Sequence, residues 1–175
     1  MSEVLLETPI FKVERGEETK TGLKPVLVNA PDWVMIVVKK AGQYLVVRQT
    51  RFGAGVKITE FPCGQVEPRE TAVHAAVREL REETGQILEE SQLREIGKMN
   101  PNPAFMTNTM HVFSCEVGGV TNWECQWLDE HEDIEWMWVD SEEFEKNAMH
   151  PDEHTPAMLI AAVGLLMNER LNEVR

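Results

Sequence analysis

Apolar residues along the chain first predict strands. Residues 33–38 form a continuous apolar run, which is typical of a buried strand. A turn at Ala41 and Gly42 separates this run from a second one at 44–47, so the two runs predict a hairpin. Further strands are expected around residues 58–61, 93–99 and 110–117, and an edge strand is expected at 134–139, where apolar and polar residues alternate.

Two other segments carry apolar residues at helical spacing. The first helix is expected to begin at Ala72, and its apolar stripe consists of Val73, Ala76, Val77 and Leu80. Thr71 is a suitable N-cap for this helix, and Gly85 suits the left-handed residue that ends it. The second helix is expected over residues 156–171, with Thr155 as its cap and Pro156 in the first helical position.

The first thirty residues stand outside this succession of strands and helices. Residues 4–14 alternate between apolar and charged positions, as a half-exposed strand does. We therefore expect an N-terminal strand extension over residues 1–30 and one domain over residues 31–175. Strands combined with a central helix and a C-terminal helix predict an α/β sandwich.

The first predicted helix carries three glutamates away from its apolar stripe. At about 100° per residue, Glu79, Glu82 and Glu83 fall within a fan of roughly 100°. Carboxylates this close raise one another's pKa, and a hard cation such as Mg²⁺ relieves the repulsion because it binds carboxylate oxygens. The alternative interpretation is a solvated acidic face, which is the usual fate of a glutamate-rich helix.

The charge balance argues against several classes of partner. The 175 residues include 17 Lys and Arg against 30 Asp and Glu, which gives a formal net charge of -13. Such a surface repels phosphate backbones and anionic membranes, so we expect neither a nucleic acid nor a membrane partner. The three cysteines form no CxxC pair and the N-terminus does not have the pattern of a signal peptide, so we expect reduced thiols in a cytoplasmic protein.

The acidic helix lies within a longer motif, GQVEPRETAVHAAVRELREETGQ at residues 64–86. Its fixed positions are Gly64, Glu70, Arg78, Glu79, Glu82, Glu83 and Gly85, with Leu80 in an aliphatic slot. This pattern resembles the Nudix box, and only the last slot departs, where polar Gln86 replaces an aliphatic residue. A chance match is on the order of 10⁻⁸ to 10⁻⁷ per window. The resemblance implies a Nudix-type α/β/α sandwich with a mixed central sheet and a metal-dependent hydrolase of nucleoside diphosphates linked to a second group.

The flanks of the box resemble one branch of that family. Residues 48–53, RQTRFG, and residues 60–64, EFPCG, are similar to runs in ADP-ribose and nucleoside-diphosphate-sugar pyrophosphatases. Residues 102–105, NPAF, and the acidic stretch 128–135 also resemble segments of these enzymes. The departures from that branch are Thr50, Cys63 and Ala104, and they leave the choice of substrate open.

Roles for single residues follow from the resemblance. It implies metal ligands at Glu79, Glu82, Glu83, Glu132 and the backbone carbonyl of Cys63. It implies a catalytic set of Glu130, Glu82 and Arg78, in which Glu130 activates water and Arg78 is expected to hold Glu70 or another glutamate in place. It implies substrate contacts at Arg51, Glu60, Gly64, Gln65, Pro103 and Phe105. A solvated acidic turn at 128–135 and a surface cation at Arg51 are the alternative interpretations.

The sequence thus predicts an Mg²⁺-dependent pyrophosphatase, with Mn²⁺ as the alternative ion, that splits ADP-ribose or a related nucleoside diphosphate sugar. A nucleoside triphosphate or dinucleoside polyphosphate hydrolase is one alternative, and a non-catalytic sensor of nucleotide sugars is another. The resemblance also implies a homodimer whose N-terminal strands wall the partner's substrate site. A ribbon folded back on its own sheet is the alternative for these strands.

Overall fold

The structure, a computed structural model, describes residues 3–118, 122–128, 130 and 133–173. Within them, the first six strands are β1 Glu3–Glu7, β2 Lys12–Arg15, β3 Val26–Asn29, β4 Trp33–Lys40, β5 Gln43–Arg51 and β6 Val56–Glu60. The next six strands are β7 Cys63–Gln65, β8 Gln86–Ile87, β9 Arg94–Met99, β10 Met110–Glu116, β11 Asn122–Trp123 and β12 Ile134–Asp140. The helices are α1 Ala72–Thr84, α2 Ser141–Ala148 and α3 Ala157–Glu173.

The main sheet has the strand order β12-β5-β4-β10-β9, with β6 paired to β5 and β7 paired to β4. Strands β4 and β10 run parallel, from Trp33 opposite Met110 to Lys39 opposite Glu116. The other pairs of this sheet are antiparallel. The predicted mixed sheet is therefore confirmed, and β12 lies at its edge as the alternating pattern indicated.

Alternate residues of the central strand β4 enter two separate cores. Met35 and Val37 pack on one face with α2 and α3, whereas Val34, Ile36 and Val38 pack on the other face with α1. Because side chains alternate across a strand, a fully apolar strand serves both cores at once. Helices thus cover both faces of the sheet, which confirms the predicted α/β/α sandwich.

The N-terminal residues form a separate three-stranded antiparallel sheet, β1-β2-β3. A parallel bridge from Val28 to Met106 and a hydrogen bond of 2.8 Å from the Val28 N–H to the Phe105 carbonyl join it to the main domain. Several of its apolar side chains are exposed: Val4, Leu5, Leu6, Ile10, Leu23 and Val26. The sequence predicted the strand character of residues 4–14, but not β3.

The helices on the second face of the sheet also differ from the sequence prediction. Helix α2 was not predicted. Helix α3 begins one residue later than expected, at Ala157. Pro156 directly precedes the helix, and its carbonyl accepts the N–H of Leu159 at 3.0 Å. No helix in the described part of the chain is long and apolar enough to cross a membrane.

Candidate active site

Helix α1 is held at both ends as the sequence predicted. Thr71 is the N-cap, and its hydroxyl oxygen accepts the N–H of His74 at 3.3 Å. Gly85 has φ 77°, and its N–H donates to the Arg81 carbonyl at 2.8 Å. The two caps fix the register at which the glutamates of α1 face the sheet.

Arg78 links the acidic residues of the site to one another. Its guanidinium donates to both oxygens of Glu70, at 3.0 and 2.9 Å, and to the backbone carbonyl of Gln65 at 2.8 Å. The remaining terminal nitrogen donates to Glu79 at 2.9 Å and Glu82 at 3.0 Å. Arg78 therefore ties Glu70, just before α1, and strand β7 to the two carboxylates, and its positioning role in catalysis stays a prediction.

Glu70 stays ionised because of these contacts. Burial by itself would raise the pKa of Glu70, but hydrogen bonds from Arg78, the Glu67 N–H and His74 lower it to about 2. The Glu70 carboxylate thus remains a charged partner of Arg78.

Gly64 allows the carboxylate of Glu79 to lie against strand β7. A Cβ atom built on Gly64 would stand 1.9 Å from the carboxyl carbon of Glu79. Any other residue here would displace that carboxylate, which explains why the motif has glycine at this slot.

Glu83 is buried below Glu79 rather than presented on an open face. Its side chain accepts the Cys63 N–H at 3.0 Å, and the residue is 5% exposed. Burial first, and the charges of Glu79 and Glu60 after it, raise the pKa of Glu83 well above its usual value. A carboxylate in this setting favours a neighbouring cation, so the oxygen donors present fit a hard divalent metal ion.

In the described residues, no three acidic, histidine or cysteine side chains are already grouped at metal-binding distances. Arg78 bonds to Glu79 and Glu82, and the Cys63 N–H bonds to Glu83. The donor chemistry therefore suits a metal, and in this structure Arg78 bonds to one oxygen each of Glu79 and Glu82.

A second charged pair lies on the sheet beside these carboxylates. Arg51 donates through Nε to Glu60 at 2.6 Å and through a terminal nitrogen to the Cys63 sulfur at 3.0 Å. Glu60 is 2% exposed, whereas the Arg51 side chain is 40% exposed. Burial raises the pKa of the Cys63 thiol well above its usual value, so the thiol stays neutral beside Arg51. Arg51 is thereby anchored on its inner side and open toward the cleft.

These groups line one cleft of about 1050 Å³. The predicted site residues that it brings together are Arg51, Glu60, Cys63, Gly64, Gln65, Arg78, Glu79, Glu82 and Glu83. Pro103 and Phe105 are not among its described lining residues, because their loop packs beside β3. Glu130 is exposed and is not among the described lining residues, and Glu132 falls outside the described residues.

The cleft also contains residues that the sequence did not single out. Trp127 lines it near the C-terminal half of α1, and Gln49 lines it from β5 with a side-chain nitrogen that has no hydrogen-bond partner in the described structure. Residues 153–156 and Met158 close another side. Trp127 and residues 153–158 lie far along the chain from the motif, and no sequence pattern connects them to it; Gln49 lies in the run 48–53, but no role of its own was predicted for it.

Comparison with known proteins places this geometry in a family. A model of the NUDIX domain matches residues 28–159. An ADP-ribose pyrophosphatase from Bacillus subtilis (strain 168) is 34% identical over 121 residues, which cover 69% of this chain and 64% of that enzyme. The matched region thus spans less than two thirds of that relative's length.

A solved structure shares the fold as well. The crystal structure of an ADP compounds hydrolase superposes with a TM-score of 0.79 at 21% sequence identity, over 99% of this chain and 93% of that one. At this identity the likeness concerns the fold.

Proposed function

Because this chain belongs to the NUDIX domain family, we propose that it hydrolyses the diphosphate bond of ADP-ribose or a related nucleoside diphosphate sugar. The products are a nucleoside monophosphate and a sugar phosphate. The observation that carries the proposal is the buried Glu83 beside Glu79, in a cleft that Arg51 also lines. Carboxylates for a cation and an arginine for a phosphate are what a diphosphate requires.

Members of this family generally use divalent metal ions, and we propose Mg²⁺, or Mn²⁺ in its place, for this chain. Glu79, Glu82, Glu83, Glu132 and the Cys63 carbonyl are the proposed ligands. A bound divalent ion would neutralise the charge of the diphosphate and acidify the attacking water. The fit rests on the carboxylate donors and on the raised pKa of Glu83.

The chain's own residues then have separate tasks. Arg51, anchored by Glu60, would bind a phosphate oxygen, and Arg78 would orient Glu79 and Glu82. We propose Glu130 as the base that removes a proton from the attacking water, a role that requires its carboxylate to come within about 3 Å of that water once substrate is bound. Glu130→Gln should then lower kcat alone, whereas Glu132→Gln should lower kcat and also raise the metal concentration required for activity. If Glu130→Gln has unchanged kinetics, another residue is the base.

A substrate panel tests the proposal. Purified protein with Mg²⁺, and separately with Mn²⁺, is incubated with ADP-ribose, ADP-glucose, GDP-mannose, UDP-glucose, nucleoside triphosphates and a diadenosine polyphosphate. Alkaline phosphatase then releases phosphate from the new monoester products of the sugar substrates. Preferred cleavage of triphosphates or dinucleoside polyphosphates would establish the alternative hydrolase function. Binding of a nucleotide sugar without cleavage would establish a sensor. The sensor is disfavoured because every box glutamate is present.

We also propose a cytoplasmic homodimer in which residues 1–30 contribute to the interface and residues 31–175 form the hydrolase domain. The exposed apolar side chains of the N-terminal sheet support this proposal, since Val4, Leu6 and Ile10 are each about half exposed in the single chain. Ile10 also lines the cleft, so the extension and the substrate site are close neighbours.

A further inference from the structure

Trp127 is a large aromatic residue that the fold keeps at the cleft without burying it. It lines the cleft and is 63% exposed. Trp33 lines the cleft too, but it packs against the core formed with α2 and α3. Of these two tryptophans, Trp127 is therefore the one with open surface for a ligand.

Backbone and side-chain hydrogen bonds hold the segment that carries Trp127. The Trp127 N–H donates to the Glu82 carbonyl at 3.0 Å, and the Glu124 N–H donates to the Gly85 carbonyl at 2.9 Å. The Gln126 amide donates to the Glu83 carbonyl at 2.5 Å and to the Ile134 carbonyl at 3.2 Å. These bonds to α1 hold Trp127 in its exposed position, next to Glu82 and Glu83 of the cleft.

One side of the Trp127 ring is occupied by a cation. The Arg81 guanidinium carbon lies 5.1 Å from the ring centroid, and Glu124 holds Arg81 in place through an ion pair. A guanidinium over one face fixes the ring and leaves its other surface for a second flat group. Nucleobases stack on such aromatic platforms whatever their hydrogen-bonding edges.

We propose that Trp127 is the stacking platform for the nucleobase of the substrate, with Arg81 as its support. This inference rests on the proposed function, since it places the base relative to the diphosphate site. Trp127 reaches the cleft through its bond to Glu82, so the base would lie beside the α1 carboxylates. Stacking favours an aromatic base over its absence and discriminates weakly among bases.

The test uses two ligands, of which only one carries a nucleoside. Both have a methylene group in place of the oxygen that bridges the two phosphorus atoms, so the protein cannot hydrolyse that link. Calorimetry measures the affinity of α,β-methylene-ADP and of methylenediphosphonate, both with Mg²⁺, for the unaltered protein, Trp127→Phe and Trp127→Leu. We expect Trp127→Leu to weaken α,β-methylene-ADP by about tenfold and Trp127→Phe by less than about threefold. Methylenediphosphonate should bind all three proteins equally.

A second readout does not depend on the leucine variant folding. Binding of α,β-methylene-ADP should quench tryptophan fluorescence in the unaltered protein, and Trp127→Phe should lose most of that quenching while still binding the ligand. The proposal is overturned by unchanged affinity in Trp127→Leu, by equal weakening of both ligands, by retained quenching in Trp127→Phe, or by the absence of α,β-methylene-ADP binding. Cleavage of ADP-ribose with unchanged Trp127→Leu affinity would reject the stacking platform alone, whereas base-dependent binding without any cleavage would reject the proposed hydrolysis alone.

Discussion

At the scale of single residues, the surroundings of Glu83 oppose the ionised form of its carboxyl group. Burial and the neighbouring Glu79 and Glu60 raise its pKa, and a cation beside it would favour the ionised form again. We expect Glu83→Gln to lower turnover by about 10²-fold or more because a ligand charge is lost. The same change should leave the free energy of unfolding equal or higher, because a neutral amide replaces a carboxyl group whose ionisation the site opposes. Steady-state kinetics at saturating Mg²⁺ and urea denaturation measure the two effects.

The matched control is Glu116→Gln, which changes an exposed glutamate at the end of β10. Glu116→Gln should change neither the turnover nor the free energy of unfolding. If Glu83→Gln turned over substrate within a few-fold of the unaltered protein, the metal-ligand assignment would be wrong.

Glu70 gives a prediction with a defined pH dependence. Its pKa of about 2 in the folded protein lies below the usual 4.5, so its contribution to stability is present above pH 4.5 and is lost as the pH falls toward 2. Glu70→Gln should lower the free energy of unfolding near neutral pH by about 1–3 kcal/mol, since Arg78 loses a charged partner. Denaturation curves between pH 7 and pH 3 should show this difference shrinking. A difference that stays constant with pH would contradict the ion-pair explanation.

Single residues were predictable where the motif specified them. The proximity of Gly64 to Glu79 and the contact of Arg78 with Glu70 follow from one strand and one helix that are adjacent in the chain. The position of Trp127 depends instead on how a distant segment bonds to α1. Such a contact between distant segments leaves no periodic signal in the sequence. The substrate-binding role of Pro103 and Phe105 remains a prediction, because neither residue is among the described residues that line the cleft.

At the scale of elements, the end of α1 depends on a glycine in two ways. Gly85 has φ 77°, and a Cβ there would lie 2.1 Å from the Glu124 carbonyl oxygen. We expect Gly85→Ala to lower the free energy of unfolding by roughly 3 kcal/mol or more, since strain and a backbone clash add. Gly42→Ala is the control, because Gly42 has φ 76° with no atom within 4 Å of the added Cβ.

The control should cost about 1–2 kcal/mol, from backbone strain alone. Thermal or urea denaturation of both variants separates the two contributions. Equal losses at the two glycines would show that contact with Glu124 has no part in ending the helix.

Elements were predictable when they were long or clearly punctuated. Strand β4 and helix α1 carry enough apolar positions, and α1 has recognisable caps, so their type was evident from the sequence. Strands β8 and β11 contain two residues each and exist because each pairs with the other. Helix α2 follows β12 directly and buries Glu145 and Ala148 at its end, a pattern too short to show helical periodicity.

At the scale of the whole molecule, the N-terminal sheet carries the proposal for assembly. Deleting residues 1–24 removes β1 and β2, together with most of the exposed apolar side chains of this sheet. We expect the shortened protein to be a monomer and to bind substrate more weakly, because Ile10 lines the cleft. Light scattering at micromolar concentration measures the mass. A mass near the 20.0 kDa of one chain for the intact protein would rule out the dimer.

The balance of charge on the cleft wall has a consequence for how fast an anionic ligand arrives. Six glutamates and two arginines are among the described lining residues, on a chain of net charge -13. The long-range field therefore repels a diphosphate during diffusional encounter, before any short-range contact with Arg51 forms. Raising the ionic strength from about 0.01 to 0.1 M shortens the Debye length from about 30 to 10 Å, so added salt should accelerate association. A diphosphate ligand would then associate faster at cellular ionic strength than in dilute buffer, the reverse of electrostatically steered binding.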